Sequence, residues 1–358
     1  MKKLFIALMA CAAIVSCSKS DVVYDNGQSE IAFSPVAQNT TKSVAGYNGD
    51  TFDGVFPTNI DLYVFANAIE GEYSDDNVGA AYFQNALFKW DEDKGSEATQ
   101  PNGATPNYST TGAYAGNPTR YWPNVKKLIF AGYSDACKVD KTTATMNFAT
   151  NTLTIPSYTQ NNETYVNEGT NDLMWFSCDG TAYDKSANEI AAAMKHACSW
   201  ITIKVKGDGV TGVTGSTWTL DKLTVNNLVH TGKVECGATS ASWTIANDAE
   251  KTNEDYYAPN SGTSFTQTAT KYEKTANNFI VIPQAPTTLD VTYTYTSDAT
   301  NNIKLTETKN ISLKYDEAGT AWQSGYHYIY TITITATEIL IDPYVVDWTS
   351  YTGNEIQK

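Results

Sequence analysis

Basic and chemically versatile side chains are scarce in this sequence. Arg120 is its only arginine, three histidines are present, and Lys+Arg total 24 against 39 Asp+Glu, a formal net charge of −15 over 358 residues. A surface this acidic repels phosphate backbones and anionic lipid headgroups, which argues against nucleic acid as a partner. His196, His230 and His327 lie in separate segments without metal-ligand spacing and read as packed side chains. Nucleophile-elbow, phosphate-loop and zinc-protease motifs are absent. Gly207-Asp208-Gly209 reads as a turn, and Asp75-Asp76 and Asp91-Glu92-Asp93 lack the spacing of a calcium loop. No catalytic residue, metal or cofactor is expected. Cysteine is also sparse: six are present with no C-x-x-C pair, and no apolar run beyond Val15 is long enough to span a bilayer.

Aromatic residues, by contrast, make up 12% of the chain and charged ones 18%, a balance that supports a sizeable core rather than disorder. At about 150 residues per domain the length suggests two domains. Lys2 and Lys3 precede an apolar stretch from Leu4 to Val15, and Ile14-Val15-Ser16-Cys17 resembles a bacterial lipobox. Residues 1–16 are thus expected to be a signal peptide and Cys17 the acylated first residue of an exported protein. The alternative is an ordinary secretory signal cut near Cys11. Loss of Lys2 and Lys3 leaves 22 basic residues against 39 acidic ones, a charge of −17. With Cys11 and Cys17 set aside, Cys137, Cys178, Cys198 and Cys236 remain and are expected to pack as small hydrophobes, with one disulfide left open.

Beyond a polar tether over 18–30, period-two alternation dominates. Ile60, Leu62 and Val64 share a parity, as do Ile201, Ile203 and Val205, then Val291, Tyr293 and Tyr295, and finally Tyr326, Tyr328, Tyr330, Ile332 and Ile334. Such alternation, rich in Val, Ile, Thr and Tyr, marks strands with one buried face. One stretch, Ala187 to His196, has the alanine-rich composition of a helix and could serve as a hinge. The Asn/Asp/Gly/Ser/Thr/Pro segments Asp91–Pro118 and Asn247–Thr275 read as surface loops. The fold class is all-β.

Several segments, in order, resemble the fimbrillin family of type V pilus subunits. They are Arg120-Tyr121-Trp122-Pro123 with the apolar strand through Tyr133; Asn171-Asp172-Leu173-Met174; and His196-Ala197-Cys198-Ser199-Trp200 running into Val205. They continue with Leu223-Thr224-Val225 and Gly232; Ile282-Pro283-Gln284; Trp322, Gly325, Tyr326, Tyr328 and Tyr330; and Val346-Asp347-Trp348. The resemblance implies two transthyretin-like β-sandwich domains with long loops, 43–190 and 191–358, preceded by a propeptide-like tether and removable first strand over 17–42. It also implies assembly by donor-strand exchange after proteolysis, in which an extended tail of one subunit fills a groove in the next. The partners would then be other copies, anchor and tip proteins, the outer membrane through the precursor's lipid, and a host or bacterial surface ligand for adhesion.

Residues can be assigned to these roles. Ile31 and Phe33 alternate with small residues, as a removable strand would. Lys42 and Ser43 lie in a polar stretch where a protease can reach the backbone, and the sole arginine sits elsewhere, so a lysine- or trypsin-like cut after Lys42 is expected. In the tail over 338–350, Ile339 and Ile341 share one parity and Tyr344, Val346 and Trp348 the other, with Asp342-Pro343 between them. A proline there predicts two short strands with a break. Burying these five side chains would contribute roughly 7–15 kcal/mol before ordering costs. A stalk subunit is the first reading and an anchor or accessory subunit the second. A lipid-anchored glycan-binding protein using Trp90, Trp122, Trp175, Trp200, Trp218, Trp243, Trp322 and Trp348 as stacking platforms is the rival from another class.

Overall fold

The computed structural model describes residues 29–37, 60–92, 112–124, 126–134, 138–139, 142–160, 172–187, 190–207, 217–257, 263–266, 273–274, 279–296, 303–335 and 339–347. In chain order the strands are β1 (Ala32–Ala37), β2 (Leu62–Ile69), β3 (Ala80–Asp91), β4 (Ala113–Gly116), β5 (Lys127–Ser134), β6 (Lys138–Val139), β7 (Thr145–Asn147) and β8 (Thr152–Thr159). Next come β9 (Met174–Phe176), β10 (Ile190–His196), β11 (Ser199–Gly207), β12 (Thr217–Val229), β13 (Thr231–Cys236), β14 (Ala241–Thr244) and β15 (Lys251–Tyr257). The last are β16 (Thr263–Thr266), β17 (Glu273–Lys274), β18 (Phe279–Val281), β19 (Thr288–Thr296), β20 (Lys304–Ser312), β21 (Tyr326–Ile334) and β22 (Ile339–Asp347). No helix occurs among the described residues, and the fold is all-β.

Seven strands close into a ring in the order β1-β10-β9-β5-β2-β3-β4. The larger apolar core lies inside this ring and against its outer face, carrying Phe33, Phe88, Phe130, Tyr133 and Trp175, with Val234 and Cys236 reaching it from β13. β13 pairs with β8, so a hairpin from the later half of the chain lies along the earlier half. A second core lies between the sheets β17-β11-β21-β22 and β15-β12-β19-β20, around Ile203, Leu223, Val291, Trp322 and Tyr330. The division between the cores falls inside β11, where Trp200 belongs to the first and Ile201 to the second.

Three readings of the sequence need correction. The alanine-rich stretch 187–196 is a strand from Ile190 onward, not a helix: Ile190, Ala192, Met194 and His196 are buried, while the residues between them are half-buried. Alanine's helix preference is a small term, and burial of the period-two face outweighs it. The segments 91–118 and 247–275 are not plain loops, since β4, with Ala113 and Tyr114 buried, lies within the first and β15, β16 and β17 within the second. The tail does not break at Pro343 either. β22 pairs with β21 in unbroken register from Ile334 opposite Ile339 to Tyr326 opposite Asp347. β22 is an edge strand, where a residue without an amide can face away from the ladder. Its inward parity continues through Ile339, Ile341, Pro343 and Val345, and Tyr344 points outward at 38% exposure.

Candidate functional site

β1 occupies a slot in the ring. On one side it runs parallel to β10, with Phe33 opposite Ile190, Ser34 opposite Ala191, Pro35 opposite Ala192 and Val36 opposite Ala193. On the other it meets β4 antiparallel over only Ala32 and Phe33, which face Ala115 and Tyr114. The start of β1 is held by the main chain of the Arg-Tyr-Trp-Pro motif. Ile31 donates its N–H to the Arg120 carbonyl at 2.8 Å, and Trp122 donates its N–H to the Ser29 carbonyl at 3.0 Å. The Arg120 guanidinium sits 5.7 Å above the Phe83 ring centroid, so this arginine serves packing rather than an exposed cleavage site.

Phe33 is the anchor of the slot. It is fully buried and packs edge-to-face on Phe88 at 4.9 Å and on Phe130 at 5.2 Å, with Phe176 tilted at 5.9 Å. Ile31, also buried, lies two residues before it on the same parity. Burial of this pair contributes on the order of 3–6 kcal/mol. Gly132 makes room for Phe176: a Cβ there would lie 2.6 Å from the Phe176 ring and from the Tyr63 carbonyl. Tyr114 donates its hydroxyl to the Ile60 carbonyl at 2.9 Å, and burial, with Asp61 nearby, pushes its phenol far above the usual range and keeps it a neutral donor. Such a groove offers main-chain hydrogen bonds and apolar pockets, the requirements for holding one extended segment.

The second half of the site is the edge strand β22. Ile339, Ile341 and Val345 pack against the second core while staying partly accessible, and Leu340 is 49% exposed. Val346 lies opposite His327. Among the described residues β22 is bonded to β21 alone, at the edge of its sheet. Of the remaining sequence candidates, Cys17, Lys42, Ser43 and Trp348 fall outside the described residues. The sequence reading did not identify Pro35, the Ala191–Ala193 wall, or the Phe88, Phe130 and Phe176 pocket. These come together through a parallel pairing of distant segments, which leaves no local period to detect.

The tryptophans are mostly committed to packing. Trp122, Trp175, Trp200 and Trp322 are each at most 2% exposed. A cleft of about 630 Å³ between the two cores is lined in part by Trp175, Trp243 and Trp322. Their indole N–H groups donate to the Gly237 carbonyl at 3.0 Å, the Ala197 carbonyl at 2.6 Å and the Tyr330 hydroxyl at 2.8 Å, respectively. Cys178, Cys198 and Cys236 are buried thiols outside any disulfide, and Cys137 lies outside the described residues.

Among solved structures, a fimbrial protein from Bacteroides vulgatus ATCC 8482 is similar at 15% identity, covering 89% of this chain and 99% of that one, with a TM-score of 0.53. A protein from Bacteroides uniformis ATCC 8492 is 16% identical over 89% of this chain and 98% of that one, with a TM-score of 0.46. The tip fimbrial protein Mfa3 from Porphyromonas gingivalis is 9% identical, covering 89% of this chain and all of the other, with a TM-score of 0.38 and 100% coverage. The first of these likenesses concerns the fold alone. No curated protein matches. The family model described as fimbrillin-like matches residues 74–348, from just after β2 to just past the end of β22, and the chain therefore belongs to the fimbrillin-like family.

Proposed function

We propose that this chain is a structural subunit of a cell-surface fimbrium, most simply a stalk subunit, polymerised by strand exchange. The observation that carries this reading is the position of β1: it closes the seven-strand ring, seats Phe33 in the core, and meets one of its neighbours over only two residues. The chain between β1 and β2 contains Lys42 and Ser43. A cut there leaves β1 held by non-covalent contacts alone, and its departure opens the slot between β10 and β4. The occupant of that slot in the polymer is the C-terminal strand of a neighbouring subunit, which in the monomer rests at a sheet edge with its apolar side chains half-covered. Export uses the signal over residues 1–16, with acylation of Cys17 holding the precursor at the outer membrane. The two cores support two domains. Partners on this reading are further copies, with anchor and tip subunits at the ends, and adhesion is the role of the assembled fibre.

An anchor or accessory subunit is the second reading, favoured by a retained lipid. A glycan-binding protein has less support, because Trp122, Trp175, Trp200 and Trp322 are buried and offer no stacking face. The test is to shear assembled material from the cell surface and run it unboiled on denaturing gels. The wild-type chain should give a ladder that vanishes on deletion from Ile339 onward. Mass spectrometry should place the N-terminus of the polymerised form after Lys42. An N-terminus at Cys17 in every assembled copy would overturn the processing step and reassign the chain as an anchor.

A further inference from the structure

β1 and β22 carry the same sequence pattern. Glu30-Ile31-Ala32-Phe33-Ser34-Pro35-Val36-Ala37 and Glu338-Ile339-Leu340-Ile341-Asp342-Pro343-Tyr344-Val345 coincide in glutamate, isoleucine and proline at equivalent places, and both set a large apolar residue between the last two. In both strands the isoleucine, the apolar residue and the proline share the inward parity. The proline position is the informative one, because a residue without an amide is tolerated only where the ladder does not need its donor. β4 reaches along β1 only as far as Phe33, so among the described residues β1 is flanked by β10 alone at Pro35.

We infer that the tail of a second copy enters the slot in one fixed frame. It runs parallel to β10, with Ile339 in the place of Ile31, Ile341 in that of Phe33, and Pro343 at the position of Pro35 opposite Ala192. This inference rests on the strand-exchange reading and adds its register. A slip of one residue would turn the apolar face out of the core. A slip of two that puts Pro343 at the place of Phe33 would set the proline where the slot is flanked on both sides. The opposite slip of two leaves Thr337 in the Ile31 pocket.

The copy is imperfect at two positions. Ile341 is smaller than the phenylalanine it replaces, leaving space against Phe88 and Phe130. Asp342 takes the place of buried Ser34, where a carboxylate loses its water. In its own molecule Asp342 is exposed. The tail is thus a weaker ligand for the slot than β1, so exchange waits for removal of β1.

Cysteine pairs in the full-length chain, assembled at the cell surface, read the frame directly. Ala115 faces Ala32, whose place Leu340 takes, and directly opposed strand residues lie within disulfide range. Ala115→Cys with Leu340→Cys should convert the ladder to one that survives boiling and collapses with reductant. Ala115→Cys with Glu338→Cys or Asp342→Cys should leave it heat-dissociable. Leu340 is half-exposed in the monomer, so its substitution does not compromise folding. Independently, Ile341→Phe and Asp342→Ser should each raise the temperature at which the ladder dissociates. Cross-linking from position 338 or 342 instead, or a ladder weakened by both substitutions, would overturn the frame. A wild-type ladder that ignores deletion from Ile339, or no ladder at all, would sink strand exchange itself.

Discussion

His327 lies flat on Trp200: the ring centroids are 3.6 Å apart and the planes differ by 2°. The two residues are opposite each other in the parallel pairing of β21 with β11, and His327 shares a 2.8 Å hydrogen bond with Thr202. The imidazole is completely buried, and burial together with the positive charge of Lys204 holds its pKa well below the usual value of 6.5. Above pH 6.5 neither the folded nor the unfolded state carries the proton, and His327 costs nothing. Below it the unfolded chain binds a proton that the folded chain refuses, so stability falls as pH falls, by at most about 1.4 kcal/mol per pH unit. His230, also lowered chiefly by burial, acts in the same direction. Urea midpoints measured from pH 7.5 to 5 should decline, and His327→Gln should flatten that decline. A pH-independent midpoint in the wild type would refute the account.

Phe33→Ala removes the anchor of β1. Truncating a buried phenylalanine costs about 3–5 kcal/mol, and here the loss falls on the strand that closes the ring. Thermal unfolding of the full-length chain should shift down, and limited proteolysis should release the N-terminal segment sooner. A melting point unchanged from wild type would mean that the pocket of Phe88, Phe130 and Phe176 does not hold β1 in place.

Asp172 and His196, from two of the family-like motifs, meet at 2.6 Å with both side chains almost fully buried. Asp172→Ala removes one member of a buried polar pair and should cost about 3 kcal/mol. Equilibrium denaturation of variant and parent checks this. An effect below about 0.5 kcal/mol, the range of ordinary surface substitutions, would deny the pair a structural role.

Tyr330 accepts a hydrogen bond from the Trp322 indole at 2.8 Å and donates its own to the Leu313 carbonyl at 2.6 Å. Tyr330→Phe keeps the ring and strands both partners, at a cost of about 1–3 kcal/mol. The loss belongs to the second core and should appear equally in chains with and without Phe33→Ala, because distant sites add. A double-mutant cycle tests that independence.

Cys178, Cys198 and Cys236 are buried, and burial pushes the Cys178 thiol up to about 11. The thiolate is the reactive form. None of the three should label with a maleimide at pH 7.5 until denaturant is added. Mass-resolved labelling of the native protein at any of them would show that the segment around it opens readily.

The sequence made the strands visible wherever one face is buried. In β21, Tyr328, Tyr330, Ile332 and Ile334 alternate as the pleat requires and face the second core, although the residues between them are buried as well. The second core of the fold was therefore largely legible. Composition misled where it competed with burial. β10 carries three consecutive alanines, good helix formers, yet they run as a strand paired along β1. At the tail, a local rule takes Pro343 for a break because it ignores whether a strand sits at an edge. The slot itself was out of sight. Ile31 and Phe33 stood out as an apolar pair, but the rings that receive them lie on β3, β5 and β9, and only the closed ring brings these together.

The unequal grip on β1, five opposed residues along β10 but two along β4, has a mechanical meaning. A pull along the strand axis loads every bond to β10 at once, whereas a sideways tug breaks them one after another, starting from the short flank. Any ribbon seated in that place bears tension like a lap joint and peels like tape, so a fibre built from such joints would tolerate drag along its length and fail first where it is sharply bent.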